Sequence, residues 1–277
     1  MATPWDRPDP VYLEEWAPRF KPYQRDLTHE LALAPGSRVL VTCAGAGGEA
    51  VSVARAVGSE GTVSATDPVS AMVELCAERA RAAAVDNVAC RTADLDDVSG
   101  GPFDAVVCAF GLWRVADRPS VLAAWRDCLT PSGKVGILTW GPADDGDPFE
   151  RFYRALDELE PDAPHPRRRV DAERASLSAM FAAAGLTVVR QTVLRHTMTF
   201  TSAELFVRSL LHGDVWSDAA AALGKERMGK VAAHFYDGVG GPTAALGCDP
   251  AVTLAIAARP GAEVTLAHRP SLTVPKP

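Results

Sequence analysis

The chain has 277 residues, of which 47% are hydrophobic and 23% are charged, and its formal net charge is -7 at pH 7. This length suits one elaborated domain or two small ones, with enough apolar residues for a full core. The acidic balance argues against a general nucleic-acid binder, because such proteins need a basic face to displace counterions from phosphates, so we expect small-molecule partners.

The cysteines and the N-terminal residues indicate the cellular setting. Six cysteines are scattered through the chain without a Cys-x-x-Cys pair, and the six histidines do not cluster. This pattern is typical of reduced thiols and predicts neither a metal site nor a disulfide framework. The first residues lack the apolar core of a signal peptide, and no run approaches the length of a membrane span. We therefore expect a cytoplasmic protein, whose oligomeric state the sequence leaves open.

Residues 11–33 carry apolar and aromatic side chains at helical spacing. Pro18 and Pro22 interrupt this pattern, and a proline inside a helix removes a backbone hydrogen bond. We therefore predict two short helices rather than one. They would form an N-terminal helical lid segment, residues 1–34, ahead of the first strand.

The stretch from Val39 to Ala50 organises the rest of the chain. It begins with an apolar, β-branched run that predicts a buried parallel strand, continues with small residues, and leads into a helical pattern. Gly45 and Gly47 allow positive φ angles and let a ligand approach the backbone, while the helix presents unpaired N–H groups. A nucleotide-like ligand is expected there. The spacing also fits a dinucleotide-binding turn, so this turn alone does not name the ligand.

A second predicted strand, residues 62–66, ends at Asp67, which lies 20 residues after Gly47. At this offset a carboxylate at the end of strand two meets the hydroxyls of a ribose. The alternative is that the acid simply caps the following helix. We favour the ribose role because Asp67 directly follows the strand.

The segments up to Trp140 alternate between strands and helices, which predicts a parallel sheet with helices on both faces over residues 35–141. Beyond it we predict a helical lid insertion, residues 142–184, and a C-terminal part of the sheet with a helical insertion, residues 185–259, followed by a tail without clear pattern, residues 260–277. Two further strands are expected, at 186–200 and 251–257. The last one should be antiparallel and complete a seven-stranded sheet.

In this order the pieces resemble the class I S-adenosylmethionine-dependent methyltransferases, within them the small-molecule branch of ubiquinone and menaquinone C-methyltransferases. The resemblance covers roughly residues 16–259 and rests on residues 39–47, 65–72 and 103–112. Leu129-Thr130-Pro131-Ser132-Gly133-Lys134 is similar to the family's L-x-P-G-G. The family resemblance implies an α/β, Rossmann-like, mostly parallel sheet of seven strands with an antiparallel last strand and a helical lid. It also implies S-adenosyl-L-methionine as cofactor and S-adenosyl-L-homocysteine as product.

The resemblance assigns cofactor contacts position by position. The methionine half, the ribose, the adenine and the reactive sulfur would be contacted by Thr42, Cys43, Ala44, Gly45, Gly47, Asp67, Pro68, Met72, Ala93, Asp94, Leu95, Ala109 and Phe110. The family also carries an acid that orients the cofactor's ammonium group at the position of Val41, where this chain has none.

Ligands of open parallel sheets bind outside the carboxyl ends of the strands, which predicts an acceptor pocket at Phe110, Trp113, Arg114 and Trp140. The two tryptophans fit the core equally well, and Arg114 also fits a solvated surface. His212 is the first candidate for a general base because imidazole titrates near neutral pH. A lone histidine near a helix end is the plainer interpretation, so no catalytic residue is assigned.

The expected activity is methyl transfer to a hydrophobic or aromatic small molecule, such as a quinone, a polyketide or another secondary metabolite. Two alternatives remain open. The same fold with its cofactor bound would catalyse a cyclisation or an elimination, or the chain would be a non-catalytic binding module. A nicotinamide dehydrogenase is disfavoured by the segment from Asp67 to Met72 and by the antiparallel character of the last strand.

Overall fold

The computed structural model describes residues 10–141, 144–166, 177–212 and 214–267. Parts of the predicted helical lid insertion, residues 142–143 and 167–176, and most of the predicted tail therefore lie outside the described residues. The nine strands have these bounds: β1 Arg38–Thr42, β2 Thr62–Asp67, β3 Val88–Thr92, β4 Phe103–Ala109, β5 Leu129–Trp140, β6 Thr187–Arg195, β7 Met198–Phe200, β8 Leu246–Cys248 and β9 Ala251–Ala258.

Seven of these strands form the central sheet in the order β3-β2-β1-β4-β5-β9-β6. The first five strands pair in parallel, whereas β9 pairs antiparallel with both β5 and β6. The predicted seven-stranded, mostly parallel sheet with an antiparallel last strand is therefore confirmed. Strands β7 and β8 form a separate two-stranded ribbon, in which β8 was not predicted.

Helices cover both faces of the sheet. A π-helical turn at Tyr12–Trp16 leads into α1, and the helices are α1 Ala17–Glu30, α2 Gly48–Val57, α3 Ser70–Ala82, α4 Arg118–Asp127, α5 Pro148–Leu159, α6 at 177–183, α7 Ala203–Leu211 and α8 Ser217–Val239. Short 3-10 turns lie at Leu112–Arg114 and Asp214–Trp216. Among the described helices, none combines the length and the apolar character needed to cross a bilayer.

The central strands alternate their side chains between two cores. Val39 and Val41 of β1 pack in the cluster that includes α1 and α2, while Leu40 packs in the cluster that contains Trp125 of α4. All eight residues of β9 are buried. Strands covered on both faces read as continuous apolar runs, which is why β1, β4 and β9 were recognisable from sequence.

The prediction of two short helices at 11–33 is wrong, because the π-helical turn continues directly into α1 as far as Glu30. Pro18 is the second residue of α1 and directly follows the π-helical turn. Pro22 lies inside the helix. The buried side chains of Tyr23, Leu27 and Leu31 hold that helix against the sheet and outweigh the missing hydrogen bond.

The prediction of a single strand at 186–200 is also wrong. The chain leaves the sheet after Arg195, where the His196 backbone N–H donates to the Tyr23 hydroxyl at 3.0 Å. Strand β7 then pairs with β8, with Met198 and Phe200 buried. Residues 130–133, part of the segment similar to L-x-P-G-G, form the irregular start of β5, where the register shifts opposite Phe103 and Ala105.

Candidate functional site

A cavity of about 450 Å³ opens where β1, β2, β4 and β5 end, and the π-helical turn, α1, α5 and α7 also contribute residues to its wall. The position is the one expected for a ligand cleft in an open parallel sheet. The size lies in the range of cavities that enclose most of a small organic ligand. Its wall divides into a polar side at the glycine turn and an aromatic side beneath the helices.

The glycine turn after β1 shapes the polar side. Cys43, Gly45 and Gly47 all have left-handed φ angles, of 49°, 50° and 79°. A Cβ on Gly45 would lie 3.2 Å from the Tyr12 hydroxyl, whereas one on Gly47 would lie 2.8 Å from Sγ and 3.0 Å from Cα of Cys76. Gly45 therefore leaves room for the Tyr12 hydroxyl at the cavity wall, and Gly47 lets the turn pack against α3 behind that wall.

Asp67 connects this turn with the next helix. Its Oδ2 accepts a hydrogen bond from the Gly45 N–H at 2.9 Å, and its Oδ1 accepts one from the Val69 N–H at 3.0 Å. Burial raises the pKa of Asp67, while these two donors and the positive charge of Arg114 oppose the rise. The carboxyl lines the cavity as well. The capping alternative thus describes part of its role and leaves it facing the ligand space.

Glu49 is a second buried acid on the wall that sequence reasoning missed. It lies in the first turn of α2, is 3% exposed, and its Oε2 accepts a hydrogen bond from Gln24 Nε2 at 2.6 Å. Burial raises the pKa of Glu49 to about 8, the charge of Asp67 adds to the rise, and Arg79 opposes it. Burial, Glu49 and Asp67 raise the pKa of Tyr12. The available signal was an acid in the first turn of a helix that follows a glycine turn.

Aromatic rings form the other side of the cavity. Phe110 directly follows β4 with a φ of 58°, and its ring stacks on Phe20 at 4.7 Å and lies 5.2 Å from Trp140. The series continues from Trp140 to Phe149, whose ring centroids are 5.7 Å apart. On the same side of the cavity, the ring of Tyr153 stacks on that of Trp216, with the ring centroids 5.4 Å apart. Such a surface suits a flat, apolar ligand.

The structure brings most of the predicted residues to this cavity. Its wall includes Cys43, Ala44, Gly45, Asp67, Met72, Ala109, Phe110, Trp113, Arg114 and Trp140. A second cavity of about 360 Å³ is lined by Pro68, Asp94 and Leu95, and Arg114 borders both cavities.

The remaining predicted residues lie off both walls. Thr42 is buried at the end of β1, Gly47 packs against α3, and the Ala93 N–H donates to the Asp67 carbonyl at 3.1 Å. His212 is exposed at the C-terminal end of α7.

Val41, where the resemblance expects an acid, is fully buried in the core. Its neighbours across the sheet are Ala65 of β2 and Val107 of β4, and it does not line the cavity. This position cannot present a side chain to a ligand in the cavity. A charged side chain that contacts a ligand on the polar side must therefore belong to another residue.

A family model described as a methyltransferase domain matches residues 39–133. The chain is 36% identical over 114 residues to a 2-phytyl-1,4-naphtoquinone methyltransferase of Synechococcus elongatus, a match that covers 39% of this chain and 47% of that protein. It is 32% identical over 120 residues to a ubiquinone/menaquinone biosynthesis C-methyltransferase of Cupriavidus metallidurans, covering 43% and 49%. The chain thus spans about half the length of these relatives.

Comparison with solved structures shows a similarity in fold over most of the chain. A putative type II methyltransferase of Anaeromyxobacter dehalogenans has a TM-score of 0.60 at 18% identity, with 86% of this chain and 95% of that chain covered. The 4+2 cyclase SpnF has a TM-score of 0.53 at 15% identity, with 88% and 83% covered. At these identities the likeness shows the fold alone. Together the comparisons confirm the resemblance drawn from the sequence motifs.

Proposed function

We propose that this chain, whose residues 39–133 match a methyltransferase domain, transfers the methyl group of S-adenosylmethionine to a hydrophobic or aromatic small molecule. One observation carries the proposal: a single cavity joins a glycine turn with buried carboxyls on one side to a series of aromatic rings on the other. A methyltransferase needs the cofactor and the acceptor in one closed space.

The polar side fits the cofactor. Gly45 carries no side chain of its own, and the Tyr12 hydroxyl, 3.2 Å from where its Cβ would lie, borders the space that the methionine half would occupy. Asp67 retains acceptor capacity for ribose hydroxyls beyond its two backbone contacts, because each carboxylate oxygen accepts more than one hydrogen bond. Met72 would contact the adenine, and Ala109 and Phe110 would lie near the sulfur.

When bound, the cofactor supplies an electrophilic methyl group on a sulfonium. The chain's own contribution is to orient the acceptor and to exclude water. Phe110 lies where the two sides of the cavity meet, with rings of α1 and β5 against it. Trp16 on the helical side is anchored by its Nε1, which donates to the Ser209 carbonyl at 3.0 Å. These contacts hold α1 and α7 over the acceptor space.

The aromatic side favours a flat, apolar acceptor. Quinones are the first class to try, because the relatives are named as a 2-phytyl-1,4-naphtoquinone methyltransferase and a ubiquinone/menaquinone biosynthesis C-methyltransferase. The described wall residues include no histidine, and His212 is exposed, so we assign no general base.

The test is a mass-spectrometric assay with methyl-deuterated S-adenosylmethionine and 2-phytyl-1,4-naphthoquinone, followed by a panel of phenols, amines and polyketides. The proposal expects a product that carries the labelled methyl group together with an equal amount of S-adenosylhomocysteine. A product of cyclisation or elimination without consumption of the cofactor would favour the non-methylating alternative. Failure to bind S-adenosylmethionine in calorimetry would contradict the proposal and favour a binding module.

A further inference from the structure

Glu49 is a buried carboxyl that faces ligand space. It follows the glycine turn directly, lines the cavity, and is 3% exposed. Its side-chain partner Gln24 donates one amide N–H to it from α1, at 2.6 Å. An amide is neutral, so this hydrogen bond stabilises a carboxylate without balancing its charge.

The charges around Glu49 leave room for a positive ligand group. Asp67 of β2 faces it with a second carboxyl, Tyr12 of the π-helical turn with a hydroxyl, and Cys76 of α3 with a thiol. Two arginines of the cavity wall oppose these acids: Arg79 of α3 lowers the pKa of Glu49, and Arg114 lowers the pKa of Asp67. The outcome is a pKa of about 8 for Glu49, which means that the surroundings compensate its charge only in part. A cation brought into the cavity would favour the ionised form.

The location of Glu49 indicates which positively charged group of a ligand it would contact. The backbone beside Glu49 is the glycine turn, where a ligand can approach closely, and the aromatic side of the cavity begins beyond it at Phe110. Val41, the position at which the family resemblance expects an acid, is buried in the core and does not reach the cavity. Asp145, Asp147 and Glu150 also line the cavity, at α5 and the loop before it, whereas Glu49 and Asp67 are the described lining carboxyls at the glycine turn. Asp67 already accepts two backbone hydrogen bonds there.

We propose that Glu49, oriented by Gln24, binds the α-ammonium group of the cofactor's methionine moiety. This inference rests on the proposed function, since it assumes S-adenosylmethionine in the cavity. Glu49, in the first turn of α2, would supply the negative charge that the family resemblance expects at the position of Val41 on β1. Because it acts on the amino-acid end of the cofactor, it determines affinity for the intact cofactor and not for its nucleoside part.

The experiment compares two ligands on one variant. Glu49→Gln keeps the shape of the side chain and removes its charge. Calorimetric titration should show S-adenosylmethionine binding weakened about ten- to a hundredfold, the range for a hydrogen bond between charged groups. Binding of 5′-methylthioadenosine, which lacks the amino-acid moiety, should stay within about twofold of wild type. Glu74→Gln, an exposed acid of α3, is the matched control and should change neither affinity.

Proton release gives a second readout on the unmodified protein. Below pH 8 part of Glu49 is protonated, and an incoming ammonium group lowers its pKa, so binding expels a proton. Titrations at pH 7 in buffers of different ionisation enthalpy should therefore show proton release with S-adenosylmethionine. They should show none with 5′-methylthioadenosine. Affinity for S-adenosylmethionine should rise between about pH 6 and pH 7, where the α-ammonium group stays protonated, and Glu49→Gln should lose that rise.

The outcomes separate the two claims. Equal weakening of both ligands, or no weakening of either, would overturn the role of Glu49 while methyl transfer stands. Proton release of equal, non-zero size with both ligands on wild type would overturn it as well, because the nucleoside part alone would then cause the release, and this readout does not depend on a folded variant. If wild type binds neither ligand, both the proposed function and this inference are contradicted.

Discussion

The two sides of the cavity are built in different ways. The polar side comes from one short run, Cys43 to Glu49, together with Asp67 at the end of the neighbouring strand. The aromatic side is assembled from rings that are far apart in the chain, such as Phe20, Phe149 and Trp216. Local sequence therefore determines where the cofactor would bind, whereas tertiary packing determines what the acceptor would be.

The difference has an energetic consequence. On the polar side, backbone conformation and buried carboxyls leave few tolerated substitutions, because strain and unpaired charge are costly. On the aromatic side, one ring is replaced by another apolar group at modest cost if the volume is kept. Substitutions should therefore have steep effects on the polar side and graded effects on the aromatic side.

The largest effect is expected at Val41, behind the polar side. Val41→Asp places a carboxylate in the core beneath α1 and α2, and should lower the free energy of unfolding by about 3–5 kcal/mol. Chemical denaturation measures this, with Val41→Thr as the milder control. A stable Val41→Asp variant that binds S-adenosylmethionine more tightly would contradict the account, because it would mean that this position reaches the ligand.

The next effect concerns the glycine turn. Gly47→Ala combines a left-handed residue with a Cβ that would lie 3.0 Å from the Cys76 backbone, so we expect a loss of about 2–4 kcal/mol in unfolding free energy. Gly36→Ala is the matched control, because Gly36 has a φ of 82° with open space around it. It should cost about 1–2 kcal/mol. Equal losses in thermal or denaturant unfolding would show that close packing adds nothing at Gly47.

Asp67 provides a test at the ligand itself. Asp67→Ala should weaken binding of S-adenosylhomocysteine by about 1.5–3 kcal/mol, the range for hydrogen bonds to a charged group. Because Asp67 also accepts from the Gly45 and Val69 N–H groups, the melting temperature should fall as well. Asp67→Asn separates the effects, since its amide oxygen can keep one of these bonds. Unchanged affinity in both folded variants would exclude the ribose role.

The smallest effect is expected on the aromatic side. Phe149→Leu removes a ring that contacts Trp140 and Phe206 but keeps an apolar side chain, so stability should fall by no more than about 1.5 kcal/mol. Once an acceptor is found, its KM should rise several-fold while S-adenosylmethionine affinity stays unchanged. A parallel loss of cofactor affinity would show that the two sides are not independent.

The sequence predicted those features of the fold and the site that short local patterns determine. The strands with continuous apolar runs, the glycine turn and Asp67 were identified, since strand, turn and helix follow one another within a few residues. Glu49 stood in the same stretch, but its inward orientation depends on Gln24 of α1, which only the packed structure brings near. The departure of β7 from the sheet depended equally on a distant contact, from Tyr23.

The aromatic side of the cavity could not be predicted from the sequence, for the same reason. Trp140 and Trp113 were candidates from their position after strands, but Phe149, Tyr153 and Trp216 lie on helices whose arrangement no local signal gives. Their helical spacing was equally typical of an ordinary core. Aromatic side chains in a helix face the interior in either case, so periodicity does not distinguish a pocket wall from a filled core.

The central claim is that the cofactor occupies the polar side alone. Hydrogen exchange with and without S-adenosylhomocysteine tests it most directly, because exchange reports protection amide by amide. The account predicts slower exchange at residues 44–49 and 69–72, where the glycine turn and the start of α3 face the cavity, and unchanged exchange in α5 around Phe149. Protection in α5 with none at the glycine turn would contradict it.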